Sequence, residues 1–425
     1  MKDKIKKYFG SIAVAMALTC LCGAHCELYQ KISGPRQPAQ LQPAPAGTVT
    51  IGGGSYEGIR SIQETSDKGF ILGGYVKTNG FQGLIIRTNQ SGDTLWMKSY
   101  NGFVNVLSVH ELSGNGYQVV SQSDIDNAGH FLFGLLKTDG VGNVGSQKTI
   151  NAFGKYMDDC GYCGSQFVEN ISVAITSDLG FIVEGFNDTN FQGNTSTWIY
   201  KINAVGDTLF LNGNIDTTGE YIGSLIECVN DGYIIAQTHS DVAFLLKADA
   251  NGNVLWKNQV KVTFPVRKIL INSIKKTIDS CIILAGGTNP GSAAQHEAFL
   301  IKTDNNGNLI WSKTYDGSMG HNGSISDASA QSVLPTSDGG VVVLGITTAN
   351  MAMNLRDVWL FKVNADGDTL WSHSFGGGND DYGMALANTS DGGFIIGAST
   401  ESYGNGGSDI WLIKTDANGN IVPLK

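Results

Sequence analysis

Two kinds of apolar segment alternate along this chain. Near the C-terminus, one runs Phe-Ile-Ile-Gly from Phe394 into small residues, and the other runs Ile-Trp-Leu-Ile-Lys-Thr from Ile410 to a turn ending at Gly419. Short apolar or alternating runs bounded by Gly, Asn and Asp predict strands joined by tight turns. The first kind, opened by Asp-Gly-Gly-Phe or a variant, starts at Asp67, Gly114, Asp178, Asn230, Asp279, Asp338 and Asp391. The second, a basic residue with Gly five positions on, starts at Arg87, Lys137, Lys201, Lys247, Lys302, Lys362 and Lys414. The two series interleave without a gap at a spacing of 46 to 64 residues, which is propeller-blade length and too long for a β-helix coil.

Each unit supplies four strands, expected in the sixth at 330–335, 341–347, 357–363 and 369–375. The Asp-Gly-Gly and Asn-Ala-Asp-Gly turns between them need positive φ, which Gly and Asn tolerate. The pattern predicts an all-β protein, a seven-bladed β-propeller of four-stranded antiparallel blades over residues 48–425. The seventh unit lacks a full outer strand. Thr48-Val-Thr-Ile-Gly-Gly-Gly54 matches Ser372-His-Ser-Phe-Gly-Gly-Gly378, so this N-terminal strand is expected to complete the last blade and cover its edge.

Large rings recur at two positions of the repeat. Leu84, Gly134, Trp198, Phe244, Phe299, Trp359 and Trp411 stand three residues before the basic position. Trp96, Ser146, Phe210, Trp256, Trp311, Trp371 and Pro423 stand nine after it, so all seven tryptophans fall in register. Such rings are expected as wedges between blades, each burying ~200 Å². Trp311→Ala is accordingly expected to cost about 3–5 kcal/mol.

The repeat resembles a family of bacterial secreted β-propellers with Asp-Gly-Gly-Phe and Lys-Thr-Asp-x-x-Gly-x-x-x-Trp signatures. The second signature is also similar to quinoprotein-type blades with docking tryptophans. The resemblance spans residues 48–425 and implies architecture, not activity.

Composition agrees: 56 Gly without a triplet period beside 41% apolar residues suits a turn-rich β protein. A net charge of −10 with no basic cluster argues against nucleic acid as a partner. Lys2, Lys4, Lys6 and Lys7 precede an apolar run from Ile12 to Leu21, which reads as a signal peptide over residues 1–24. Soluble export is the first reading and a lipid anchor on Cys20 the alternative; no transmembrane span is expected. Residues 25–47 hold four of the eight prolines and read as an extended, mobile linker.

The connections after the second and fourth strands are long and variable and share one face, where a ligand is expected. There Tyr56-Glu57 and Asp381-Tyr382 occupy similar blade positions, with Glu220-Tyr221 as a third pair and Tyr403 in a Gly-rich loop. Acid-plus-aromatic pairs suit a sugar or a cation; the alternative is polar loop tips with one packed ring. The loops at Phe81-Gln-Gly83 and Phe191-Gln-Gly193 repeat one another. Glu184 falls where other units carry Gly, Val, Ala or Leu, and is either a buried acid with a raised pKa or a solvated strand end. Cys160-Gly-Tyr-Cys163 is read as a local disulfide in an exported protein, and Cys228 and Cys281 as buried thiols.

Asp249–Asn253 and Asn364–Asp368 imitate the start of an EF-hand loop without its distant Glu and read as plain turns; Asp124-Ile-Asp126-Asn127 is a slightly better oxygen cluster. His296 and His321 are read as loop residues, with a ligand role for either as the alternative. No metal or cofactor is assigned, and no catalytic motif occurs. The expected function is a non-catalytic binding or scaffolding module for a protein or glycan at the cell surface. A glycan-active hydrolase or lyase using loop carboxylates is the alternative, and a quinone-dependent dehydrogenase comes third.

Overall fold

The computed structural model describes residues 42–424 except 115, 124–129, 156–171, 177, 189–194, 213–224, 230–231, 240–241, 265–267, 290–295, 318–326 and 351–354. The chain divides into two compact units. Residues 1–40 with 157–167 lie outside the described residues; residues 41–156 with 168–425 carry the sheets. The expected signal peptide, Cys20, Tyr221, Cys160, Cys163, Phe191–Gly193, Asp124–Asn127 and His321 therefore lie outside the described residues.

The second unit is a seven-bladed β-propeller of seven four-stranded antiparallel sheets. Strand order follows the chain in six of the sheets, and each sheet packs on its neighbours in sequence, the seventh on the first. Blade 6 has strands Ala328–Pro335, Val341–Asn350, Leu355–Val363 and Thr369–Phe375 from the inside outwards, within a few residues of expectation. Blade 7 has Asp381–Asn388, Phe394–Thr400 and Asp409–Thr415, and Thr48–Ile51 adds its outer strand. Thr48 pairs with Ile413 as Ser372 pairs with Phe361, so the closure has the register of an ordinary blade. Residues ahead of the closing strand are also held: the Gln42 amide donates to the Ser402 carbonyl at 3.2 Å and Ala44 packs on the core of blades 6 and 7. The expected mobile linker is thus docked from residue 42 onward.

The two repeat signatures meet inside five of the blades. Arg87, Lys201, Lys302, Lys362 and Lys414 on the third strands pair with Asp67, Asp178, Asp279, Asp338 and Asp391 in the turns between first and second strands. A Thr two residues before each Asp donates its hydroxyl to the same carboxylate. Burial opposes ionisation of most of these acids, but the cation, Thr hydroxyl and backbone amides outweigh it and hold Asp178, Asp279, Asp338 and Asp391 down at about 2. This is why the chain repeats Asp-Gly-Gly and Lys-Thr-Asp together.

The aromatic positions also meet, between blades. In the junction of blades 6 and 7, Trp411 of the third strand of blade 7 packs back on blade 6, and Trp371 of the outer strand of blade 6 packs forward. Trp359 and Trp311 share the previous junction in the same way, and Phe299 and Trp256 the one before. The outer-strand rings lie over the turn glycines of the next blade: Trp96 on Gly142, Trp256 on Gly307, Trp311 on Gly367 and Trp371 on Gly419. Those glycines have φ between 78° and 82°, so a side chain there is excluded by both backbone and ring. At the closing seam Val49 and Leu424 take the ring's place over Gly92. Trp311 itself is half-buried, whereas Trp411 is 0% exposed, so the larger loss on truncation moves from the outer to the third strand.

Candidate functional site

The first and third strands of each blade start at the face carrying the long connections. At that rim of blades 6, 7 and 1 the structure gathers four carboxylates. Glu57 lies one residue inside the inner strand of blade 1, Tyr56–Glu64, and meets Asp409, which begins the third strand of blade 7. Asp381 begins the inner strand of blade 7 and meets Asp357 near the start of the third strand of blade 6. The two junctions are repeat equivalents, and all four side chains are buried.

Glycine makes room for them. A Cβ on Gly376 would overlap Asp357 Oδ1, and one on Gly52, the equivalent position after the closing strand, would overlap Asp409 Oδ1. A Cβ on Gly404, with φ 103°, would overlap Asp409 Oδ2 from the other side. Asp409 Oδ2 accepts the Asn405 amide at 2.8 Å, and Asp381 Oδ2 accepts the Gly377 amide at 2.9 Å and the Ser402 hydroxyl at 2.7 Å. Four other oxygens of the group, Glu57 Oε2, Asp409 Oδ1, Asp357 Oδ1 and Asp381 Oδ1, accept no hydrogen bond from the described residues.

Burial, and then the negative charges of Asp381 and Asp380, push Asp357 up to about 6. Burial pushes Asp381 up to about 6 against the hydrogen bonds from Thr400, Ser402 and Gly377. Burial also raises Glu57, with a second push from Asp409, and burial raises Asp409. An acid whose folded pKa is raised binds its proton more tightly in the folded state. Its contribution is present below the unfolded value near 4 and is lost as pH rises through about 6. Asp357→Asn should therefore gain stability relative to the parent by on the order of 1–3 kcal/mol between pH 4 and 7. Urea titrations at the two pH values check this; a pH-independent difference would show that the Asp357 carboxyl is not raised in the folded state.

The sequence-derived candidates fall into place unevenly. Tyr56 is 55% exposed on this face. Tyr382 is buried, with the Arg356 guanidinium over its ring and a 3.2 Å hydrogen bond to its hydroxyl. Tyr403 is buried, donates to the Gly376 carbonyl at 2.6 Å and sets its ring 4.9 Å from Trp411. Burial and then Asp381 and Asp357 push its phenol up to about 12. These two rings are packing elements rather than loop tips. Phe81 likewise begins a strand, edge-on to Tyr75 and under Lys77.

Glu184 is 0% exposed, midway along the second strand of blade 3, and burial raises its pKa well above normal. The solvated reading of this residue is overturned. Its equivalents Gly73 and Gly397 would press a Cβ into the next blade, at Val106 and Ile59, so this position faces a blade junction and not the acid cluster. Cys281 is half-buried in a turn and not in a strand register, which corrects its assignment as a core thiol; Cys228 pairs with Tyr233 in a strand. The EF-hand-like segments are self-contained turns: Asp249 Oδ1 accepts the amides of Asn251 and Asn253, and Asn364 Oδ1 those of Asp366 and Asp368. His296 is exposed, its Nδ1 2.9 Å from the Thr288 carbonyl.

Asp357 and Asp409 were not singled out from sequence. The signal was present: an acid five residues before the third-strand Lys in three successive blades, at Glu297, Asp357 and Asp409. Among the described residues no three His, Cys, Asp or Glu side chains converge as a metal cluster, and no helix is long and apolar enough to cross a membrane.

No protein-family model and no curated protein matches the chain. Solved structures similar in fold include the polysaccharide lyase Uly1, at 9% identity over 93% of this chain and 95% of that one, with a TM-score of 0.49. A protein of unknown function from Dyadobacter fermentans is similar at 10% identity over 86% and 98%, with a TM-score of 0.43. An endo-arabinase from Bacteroides thetaiotaomicron is similar at 9% identity over 58% and 93%, with a TM-score of 0.37. At these values the likenesses assign no activity.

Proposed function

We propose that this chain is an exported, non-catalytic binding or scaffolding propeller of the bacterial secreted repeat type, which recognises a protein or a glycan through its long-loop face. One observation carries this reading. The residues that the repeat holds constant are taken up by the framework: the basic residues by turn carboxylates, the rings by blade junctions and the glycines by turns. Glu57 and Asp381, the carboxylates expected to serve a ligand on the long-loop face, are buried as well, as is Glu184. What differs from blade to blade is the set of connections on one face, as in folds that vary loops on a fixed scaffold. Tyr56, exposed beside the closing seam, is a contact residue in this reading.

The test is binding and turnover measured together on the purified chain, with a polysaccharide panel and a surface-protein extract. Saturable retention without released product is the expected result. Release of oligosaccharides, lost on Asp381→Asn, would establish the hydrolase or lyase instead.

A further inference from the structure

The seam where the ring closes carries a pair of acids that the framework does not explain. Glu57 belongs to the inner strand of blade 1, Asp409 to the third strand of blade 7, and Gly52 follows the closing strand that pairs with it. Glu57 is 7% exposed and Asp409 1%. A Cβ on Gly52 would overlap Asp409 Oδ1 and stand 3.0 Å from Glu57 Oε2. Those same two oxygens accept no hydrogen bond from the described residues. The two unpartnered carboxylate oxygens lie 2.0 and 3.0 Å from that one point, and so no more than 2.0 + 3.0 = 5.0 Å from each other. A single cation can bridge that separation at the ~2.3–2.6 Å bond length of calcium.

We propose that Glu57 and Asp409 bind a calcium ion that ties blade 7 to blade 1 across the closing strand. Two carboxylates against one divalent cation balance charge where the bare pair repels. The class of ion follows from the donors, which are hard oxygens with no thiolate or imidazole among them. The glycine-rich segments Gly52–Gly54 and Gly404–Gly407 border the pair, and side chains at Gly53 and Gly54 would meet nothing within 4 Å. Calcium tolerates an irregular shell of oxygens, where magnesium demands a near-ideal octahedron. The proposal is independent of the ligand-binding reading, because the pair lies within the seam and not on an exposed surface.

Thermal unfolding of the EDTA-stripped full chain tests it, with CaCl2 raised past the ~10⁻⁴–10⁻³ M range of extracellular calcium modules. A saturable rise of about 2–4 °C is expected, with little response to MgCl2. The double variant Glu57→Gln, Asp409→Asn should lose the rise, and Asp357→Asn at the neighbouring junction should keep it. A parent indifferent to CaCl2, an equal response to MgCl2, or a rise that survives in the double variant would overturn the proposal. Should the double variant not fold, terbium luminescence of the parent decides. Saturable emission excited through the protein's tyrosines and tryptophans and displaced by CaCl2 supports the site, and its absence refutes it.

Discussion

Removing residues 48–54 is expected to lower the unfolding midpoint by on the order of 5–10 °C and to make the chain self-associate. The deleted strand supplies every backbone partner on the outer side of the third strand of blade 7, from Ile413 to Ile410. Without it that strand becomes a bare edge of alternating Ile, Trp, Leu and Ile, a template for pairing with another chain. Ile51 is buried, and Val49 packs on the same core and sits over Gly92. Two aliphatic side chains account for about 3–6 kcal/mol of transfer free energy. The seam keeps other ties, since the Ser390 amide donates to Glu64 Oε2 at 2.7 Å, so the ring is expected to loosen rather than unfold at once. Calorimetry with light scattering checks both parts. A variant with an unchanged midpoint and no association would show that the strand contributes nothing to closure. A synthetic peptide of residues 48–54 added in trans should restore part of the lost stability.

The ring and its closure were readable in the sequence because repetition multiplies weak signals. One Asp-Gly-Gly is only a turn, but seven spaced at blade length define an architecture, and the register of Thr48–Gly54 against Ser372–Gly378 follows from the same comparison. The docking of aromatic positions was legible for the same reason. What the repeat hides is which two positions meet across a junction, since the partners belong to different units. Trp371 and Trp411 lie 40 positions apart yet fill one interface. Glu57 and Asp409 lie near opposite ends of the chain, so no local pattern links them. Tyr382 and Tyr403 flank glycines, as loop contacts do, but the one lies at the start of a strand and the other in a loop folded back on Trp411, and both are packed. The burial of Trp311 was overstated because outer strands keep one edge in solvent.

Trp411→Ala is expected to destabilise the chain by about 3–5 kcal/mol. Its side chain is wholly buried, among Val342, Leu344, Val358 and Leu360 of blade 6 and Ile396, Ala398 and Tyr403 of blade 7. A ring of this size buries ~200 Å², which corresponds to roughly 5 kcal/mol at ~25 cal/mol per Å². Its neighbours are strands fixed by sheet hydrogen bonds on both sides of the junction, so they cannot collapse far into the space it leaves. The indole nitrogen accounts for little of the effect, because it has no partner among the described residues. Trp411→Phe should then recover a large part of the loss by restoring apolar volume. Trp371, half-buried in the same junction, should cost less when truncated, since solvent already reaches it. Urea titrations of the three variants order them. A loss below about 1 kcal/mol for Trp411→Ala, or a larger one for Trp371→Ala, would mean that the third-strand rings do not hold the blades together.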